Sequence, residues 1–245
     1  MPQFDIPRFL AGRFFALLKR LEPDSVLDVG CGRGRLLRQC VDAGIAVHGA
    51  EPSSDTVTEL TAGGLECSAA AAESLPFDDG SFDWVTMRHI SHHLADERPA
   101  LAEAFRVCRS GVLVAEPWLD LSIASQRVAR RFDAWLEEQN RRVGHIHRVP
   151  LSADDFLAAL PDGVEVDSVL EQVLVLQDRP SDWLRSEAEQ FLGDIDAAGK
   201  EELESIEAAA AVDGLTYNGT SILRLRLVNP QSAKASSSTP RPSTP

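Results

Sequence analysis

Val26-Leu27-Asp28-Val29-Gly30-Cys31-Gly32-Arg33-Gly34 decides the fold. An apolar run of strand length meets three glycines at alternate positions and passes into a helical stretch, RLLRQCVDA, that ends at Gly44. Glycine lets the backbone turn sharply and approach a ligand that a Cβ would exclude, so a nucleotide is the natural occupant of such a turn. The dinucleotide fingerprint needs its third glycine at position 35, which is Arg35 here, and this spacing disfavours NAD.

Outward from this loop the same rhythm repeats. IAVHGAE at 45–51 reads as a second strand, and strand-like segments recur near 65–69, 82–87 and 111–116, with helical stretches around 54–62 and 96–109 between them. Strands alternating with helices predict an α/β fold with a doubly wound, mostly parallel sheet. Upstream, residues 7–21 carry Phe9, Leu10, Phe14, Leu17, Leu18 and Leu21 at helical spacing, an amphipathic helix able to pack on a core or roof a pocket. Beyond Glu116, residues 121–142 are Arg-rich and helical in period, and a second helix starts at Ser152, whose side chain can cap it. Residues 163–177 and 215–228 are β-rich and flank a charged helical region from about 181 to 211, so the last two strands are joined by an excursion. The resulting division is an N-terminal helix or lid at 1–24, a single domain at 25–229 with helical cover at about 117–160 and 181–211, and a tail at 230–245. That tail is Ser, Thr and Pro with almost no apolar residues, and disorder is expected there.

Composition removes several classes of function. Among 245 residues, 24 Lys and Arg face 38 Asp and Glu, a formal charge of −14, and the summed field repels nucleic acid. Cys31, Cys40, Cys67 and Cys108 form no CxxC pair and have no His at zinc spacing, so neither a metal site nor a disulfide framework is expected, and reduced thiols suit a cytoplasmic protein. No apolar run approaches the length that spans a bilayer, and the opening residues read as no signal peptide.

The acids around the loop narrow the ligand. Asp28, just before the glycines, suits a ligand carrying an ammonium group. Glu51 closes the second strand 19 residues beyond Gly32, where a carboxylate can accept from both hydroxyls of a ribose. A nucleoside with an amino-acid tail meets both requirements.

VLDVGCGRG, the acid at Glu51, AESLPFDDGSFDWV at 72–85, HISHHL at 89–94 and the helix ALAEAFRVCRSG occur in this order. From about residue 25 to 116 the chain thereby resembles the class I S-adenosylmethionine-dependent methyltransferases, in the branch with quinone-ring C-methyltransferases and small-molecule or sugar O-methyltransferases. The resemblance implies a Rossmann-like, seven-stranded sheet with one antiparallel strand near the C-terminus, and S-adenosylmethionine as cofactor with S-adenosylhomocysteine as product. It further implies that Gly30, Cys31 and Gly32 back the methionine part, Glu51 holds the ribose, Pro52 lies along the adenine, and Ala72 and Glu73 reach the adenine edge. Relatives commonly carry an Asp where this chain has Ala71, and the missing charge-assisted hydrogen bond is worth roughly 1.5–3 kcal/mol at most. A second departure is Arg109-Ser110-Gly111, where relatives often have Arg-Pro-Gly-Gly, a change confined to a turn.

Methyl transfer from a sulfonium is an in-line displacement, so the protein must align nucleophile and methyl and accept the proton of a hydroxyl. His92 and His93 follow the fourth strand at the carboxyl end of the sheet, and neighbouring side chains point about 100° apart, so one of the pair faces the pocket. They serve as the base or as framework that caps a helix and lines the pocket. Glu116, ending the fifth strand on the same rim, can orient an imidazole, an arrangement seen in sugar O-methyltransferase relatives. Arg88 can touch the cofactor through its backbone or reach a substrate anion. The positive segment 127–148, with Arg127, Arg130, Arg131, Arg141, Arg142, Arg148, His145 and His147, either recruits an anionic substrate or is a charged helix face paired with acids elsewhere. The expected activity is methylation of a small molecule, chiefly at oxygen, by a monomer or homodimer that needs no metal, nucleic acid or membrane. The alternatives are a protein that binds the cofactor without methylating, and a methyltransferase acting on protein or RNA.

Overall fold

Ser25–Val29 (β1) is buried from Val26 onward, as a strand covered on both faces must be. It lies at the centre of a seven-stranded sheet in the computed structural model, which describes residues 5–149, 151–180 and 182–228. The expected disorder of 230–245 and the first four residues of the 1–24 segment lie outside those residues. Ala46–Glu51 (β2), Cys67–Ala69 (β3), Phe82–Arg88 (β4), Cys108–Trp118 (β5), Val166–Val173 (β6) and Gly219–Leu227 (β7) complete the sheet in the order β3-β2-β1-β4-β5-β7-β6. The first five strands are parallel, and β7 runs antiparallel to both β5 and β6. The Rossmann-like, mostly parallel architecture expected from the alternation and the resemblance is therefore present, with the last strand inserted between β5 and β6. The strand order reverses at β1 and β4, and the crevice outside their carboxyl ends is where such sheets bind ligands.

Both faces of the sheet are clothed. Ile6–Arg20 (α1) starts where Asp5 accepts from the Arg8 amide at 2.9 Å, with a proline in its first turn, and buries Phe14 and Leu18. These two pack with Leu36 and Cys40 of Arg35–Asp42 (α2) against Val26, Leu113 and Ile222. Ser54–Ala62 (α3) follows a Ser53 cap and joins Leu60 to Leu37 of α2. On the other face, Glu97–Val107 (α4) contributes Leu101, Ala104 and Phe105 to the largest apolar cluster.

The cover differs from expectation in one respect. Ala124–Arg142 (α5), Trp183–Ala188 (α7) and Ala197–Asp213 (α8) form a core of their own around Phe132, Trp135, Phe191 and Ile206, with Phe132 and Trp135 stacked at 5.8 Å. Ala153–Ala158 (α6), expected as cover, instead sends Phe156 into the sheet core, and Ser152 and Asp155 form a full capping box at its start. β5 is longer than expected at both ends. Cys108 is already extended where a helix to 109 was anticipated, and Trp118 still pairs with Gly219. Among the described residues no helix is long and apolar enough to cross a membrane.

Candidate active site

The loop after β1 is tied to β2: the amides of Gly30 and Cys31 both donate to the Ala50 carbonyl, at 2.8 and 3.2 Å. Its glycines serve two purposes that the sequence alone does not separate. Gly30 has φ +68°, and a Cβ there would sit 2.3 Å from Cγ2 of Ile90, so this glycine is demanded by packing. Gly32 has φ +50° and nothing within 4 Å of where its Cβ would project, so this is the position that leaves room for a ligand.

Glu51 folds toward the loop, accepting from the Gly32 amide at 3.0 Å and the Ser53 amide at 3.2 Å. A carboxylate has about four lone-pair positions, so two remain for the hydroxyls of a ribose. Pro52 is exposed beside it, and the Ala70 amide donates to the Glu51 carbonyl at 3.1 Å, two residues before Ala72 and three before exposed Glu73; none of Glu51, Pro52, Ala72 and Glu73 is among the residues lining the cavity. Asp28 does not line the cavity. It is buried beneath the loop, with Oδ1 accepting from the Thr86 hydroxyl at 2.8 Å and Oδ2 left without a partner. Burial pushes its pKa up to about 6 in spite of the nearby Arg88 cation. Arg88 itself lines the cavity and lies 5.7 Å from the Phe14 ring centroid.

The cavity encloses about 540 Å³ between the glycine loop, the ends of β4 and β5, the start of β7 and the first turns of α1, which supply Ile6, Leu10 and Phe14 as a roof. That is within the range of small-ligand sites. The room at Gly32 and the open acceptor positions of Glu51 fit a cofactor that carries a ribose. Arg179, Tyr217 and Asn218 complete the wall. The Arg179 guanidinium lies between Trp183 and Tyr217, 3.7 and 4.5 Å from their centroids. Burial pulls its pKa below the ordinary arginine value, and its Nε has no partner.

Beside the cavity the chain builds an acid-oriented histidine. A 3₁₀ turn, Ser91–His93, follows β4. Oε1 of buried Glu116 accepts from the amides of Ile90 and Ser91 at 3.0 and 3.1 Å, and Oε2 lies 3.1 Å from Nδ1 of His92. Burial alone would raise the Glu116 pKa, but the His92 and Ser91 bonds outweigh it and hold the carboxylate below its usual range. His92 is thus the buried member of the pair, while His93 is exposed and meets it at 4.2 Å between ring centroids. His89 lines the cavity wall in a left-handed conformation, φ 57°.

Several site residues escape sequence reasoning. Thr86 is legible only once the β1–β4 register pairs it with Asp28. Arg179 and Tyr217 are far apart in sequence, and only the Arg179–Trp183 spacing hints at a stacked cation. His147 arrives on the loop after α5 and makes edge contacts with both His92 and His93 at 5.2 and 5.3 Å. The Arg-rich segment proves mostly paired: Arg131 with Glu202, Arg141 with Glu138, Arg142 with Glu138 and Asp196, and Arg148 with Glu97. It is a charged face of the ordinary kind.

Residues 27–115 match the family described as methyltransferase domain. Over 91 residues the chain is 33% identical to an uncharacterized methyltransferase, YcgJ, of Bacillus subtilis, covering 34% of this chain and 36% of that one. It is 29% identical over 210 residues to the 27-O-demethylrifamycin SV methyltransferase of Amycolatopsis mediterranei, covering 82% and 72%. The chain spans between 36% and 50% of the length of several other curated relatives it matches, YcgJ among them. The crystal structure of YcgJ superposes with a TM-score of 0.61 at 17% identity, over 89% of this chain and 99% of that one, a likeness of fold. The open glycine turn and the acid beside it thus lie within residues 27–115, the stretch similar to the methyltransferase domain family, in a sheet whose strand order is that of the fold shared with these neighbours.

Proposed function

We propose that the protein transfers the methyl group of S-adenosylmethionine to a hydroxyl oxygen of a small molecule, with His92 as the base. The observation that carries this reading is the buried Glu116–His92 pair, 3.1 Å apart, at the carboxyl ends of β5 and β4. The bound cofactor supplies an electrophilic sulfonium methyl. Gly30, Cys31, Gly32 and Arg88 line its place, Glu51 takes the ribose, Pro52, Ala72 and Glu73 flank the adenine, and Asp28, bonded to Thr86, supports the loop from beneath.

Glu116 has both oxygens engaged, so it acts by fixing the imidazole. With its Nδ1–H donating to the Glu116 carboxylate, His92 keeps on Nε2 the lone pair that receives the proton of the acceptor. His93, exposed and tilted against His92 at 47°, lines the approach. The roof that α1 forms over the cavity supports a small acceptor over a polymer, as does the net charge of −14 against RNA. The similarity to a rifamycin O-methyltransferase over most of both chains supports oxygen as the acceptor atom.

Titration calorimetry with S-adenosylmethionine and S-adenosylhomocysteine tests the cofactor. Incubation with methyl-labelled cofactor and a panel of phenols, sugars and amines then tests the chemistry, and His92→Ala should lower the rate about 10²–10⁴-fold with cofactor affinity retained. Heat with neither ligand refutes the reading, and binding without a methylated product from any acceptor class leaves the cofactor-sensor alternative in its place.

A further inference from the structure

The histidine cluster beside the cavity has a geometry that proton transfer does not use. His92, His93 and His147 each present a ring nitrogen, and the three nitrogens all lie within 4.8 Å of one another. The loop holding His147 is pinned above the 3₁₀ turn. The Arg148 amide donates to the His92 carbonyl at 2.7 Å, its guanidinium reaches Glu97 at 2.7 Å, and the Val149 amide donates to Glu137 at 3.1 Å.

Each of two rings is also held from behind. His92 offers Nδ1 to Glu116, and a ring N–H of His93 donates to the Ile146 carbonyl. A carboxylate or carbonyl behind an imidazole is the outer support that fixes the tautomer and aims the opposite nitrogen at a metal.

We propose that His92, His93 and His147 form a binding site for a divalent transition metal of the Zn²⁺ class. Imidazole nitrogens suit this class of ion, and three histidines leave a fourth position open for water or an acceptor oxygen. Around an ion with bonds of about 2.0–2.1 Å the nitrogens close to roughly 3.4 Å apart. Exposed His93 and loop-borne His147 make that adjustment while His92 stays anchored on Glu116. The metal would take the His92 lone pair that the base role requires, so metal loading and proton acceptance by His92 exclude each other.

The test uses the full chain, freed of metal, with Zn²⁺ alone in calorimetry and Co²⁺ alone in visible absorption. No methyl acceptor or cofactor is added, so failure here is separate from failure of the methyl-transfer reading. One equivalent of Zn²⁺ should bind, with intensified Co²⁺ bands of a four- or five-coordinate site. His147→Ala, His147→Asn and His93→Ala should each weaken Zn²⁺ binding by 30-fold or more, with circular dichroism unchanged. His145→Ala, a control on the same loop, should bind as the parent does. The proposal is overturned by the absence of stoichiometric binding, by binding that survives loss of His147 and His93, or by an equal loss in His145→Ala.

Discussion

Glu116→Gln changes one atom's role. The variant keeps an oxygen for the Ile90 and Ser91 amides, which lie 3.0 and 3.1 Å from Oε1, and so keeps the turn in place. Facing His92, however, an acceptor 3.1 Å from Nδ1 becomes an N–H donor. A hydrogen bond to a charged partner is worth about 1.5–3 kcal/mol, which holds the Nδ1–H tautomer over its alternative by roughly 10- to 150-fold. The amide reverses the preference, puts the ring proton on Nε2 and removes the lone pair from the acceptor side. Nitrogen-15 NMR of the ring should show the tautomer exchange directly, and kcat should fall by about 10²–10⁴, or roughly 3–5 kcal/mol of barrier. Cofactor affinity by calorimetry should stay within about twofold, since Glu116 does not line the cavity. An unchanged rate with the tautomer reversed would show that His92 is not the base, and an unreversed tautomer would refute the hydrogen-bond reasoning itself.

Asp28 gives a prediction in pH. Its pKa rises from the ordinary 3.8 to about 6 on folding, so the folded chain holds a proton that the unfolded chain has released between those values. The stabilisation is complete below 3.8 and lost as pH rises through 6, a difference of roughly 3 kcal/mol, of which about 1.4 kcal/mol falls between pH 5 and 8. Urea unfolding of Asp28→Asn should lose about that much of the parent's pH dependence over this interval, and an identical slope in both proteins would contradict the burial argument. Gly30→Ala should cost about 2–5 kcal/mol, from the left-handed backbone and the contact with Ile90, and Ile90→Ala in the same chain should recover part of it. Additive effects in that double-mutant cycle would mean the two residues do not touch.

The sheet was legible because its strands are short apolar runs punctuated by glycine, and β1 through β5 alternate with capped helices. The loop, Glu51 and the nearness of Glu116 to the pair His92 and His93 were legible for the same reason, since each stands at the end of a recognisable strand. What lay hidden depends on contacts between distant segments. Which histidine faces inward is fixed by a 3₁₀ turn and two amide bonds to Glu116, and no periodicity reports these. The partner of Arg179, the approach of His147 and the diversion of α6 into the sheet core all come from loops whose destinations are set by packing. Gly30 carried a misleading message: its lack of a side chain serves Ile90, and Gly32 keeps the space open.

Ile90 therefore has two duties in one residue. Its amide holds the oxygen of Glu116, while its methyl group presses against the bare α-carbon of Gly30. In the proposed reaction, the spacing between the glycine turn, as seat of the methyl donor, and the His92 imidazole, as base for the acceptor, is gauged by a single side chain acting as a shim. Any change in its bulk must shift both halves of the reaction together, whereas substitutions in the α1 roof can reshape acceptor choice and leave that alignment untouched.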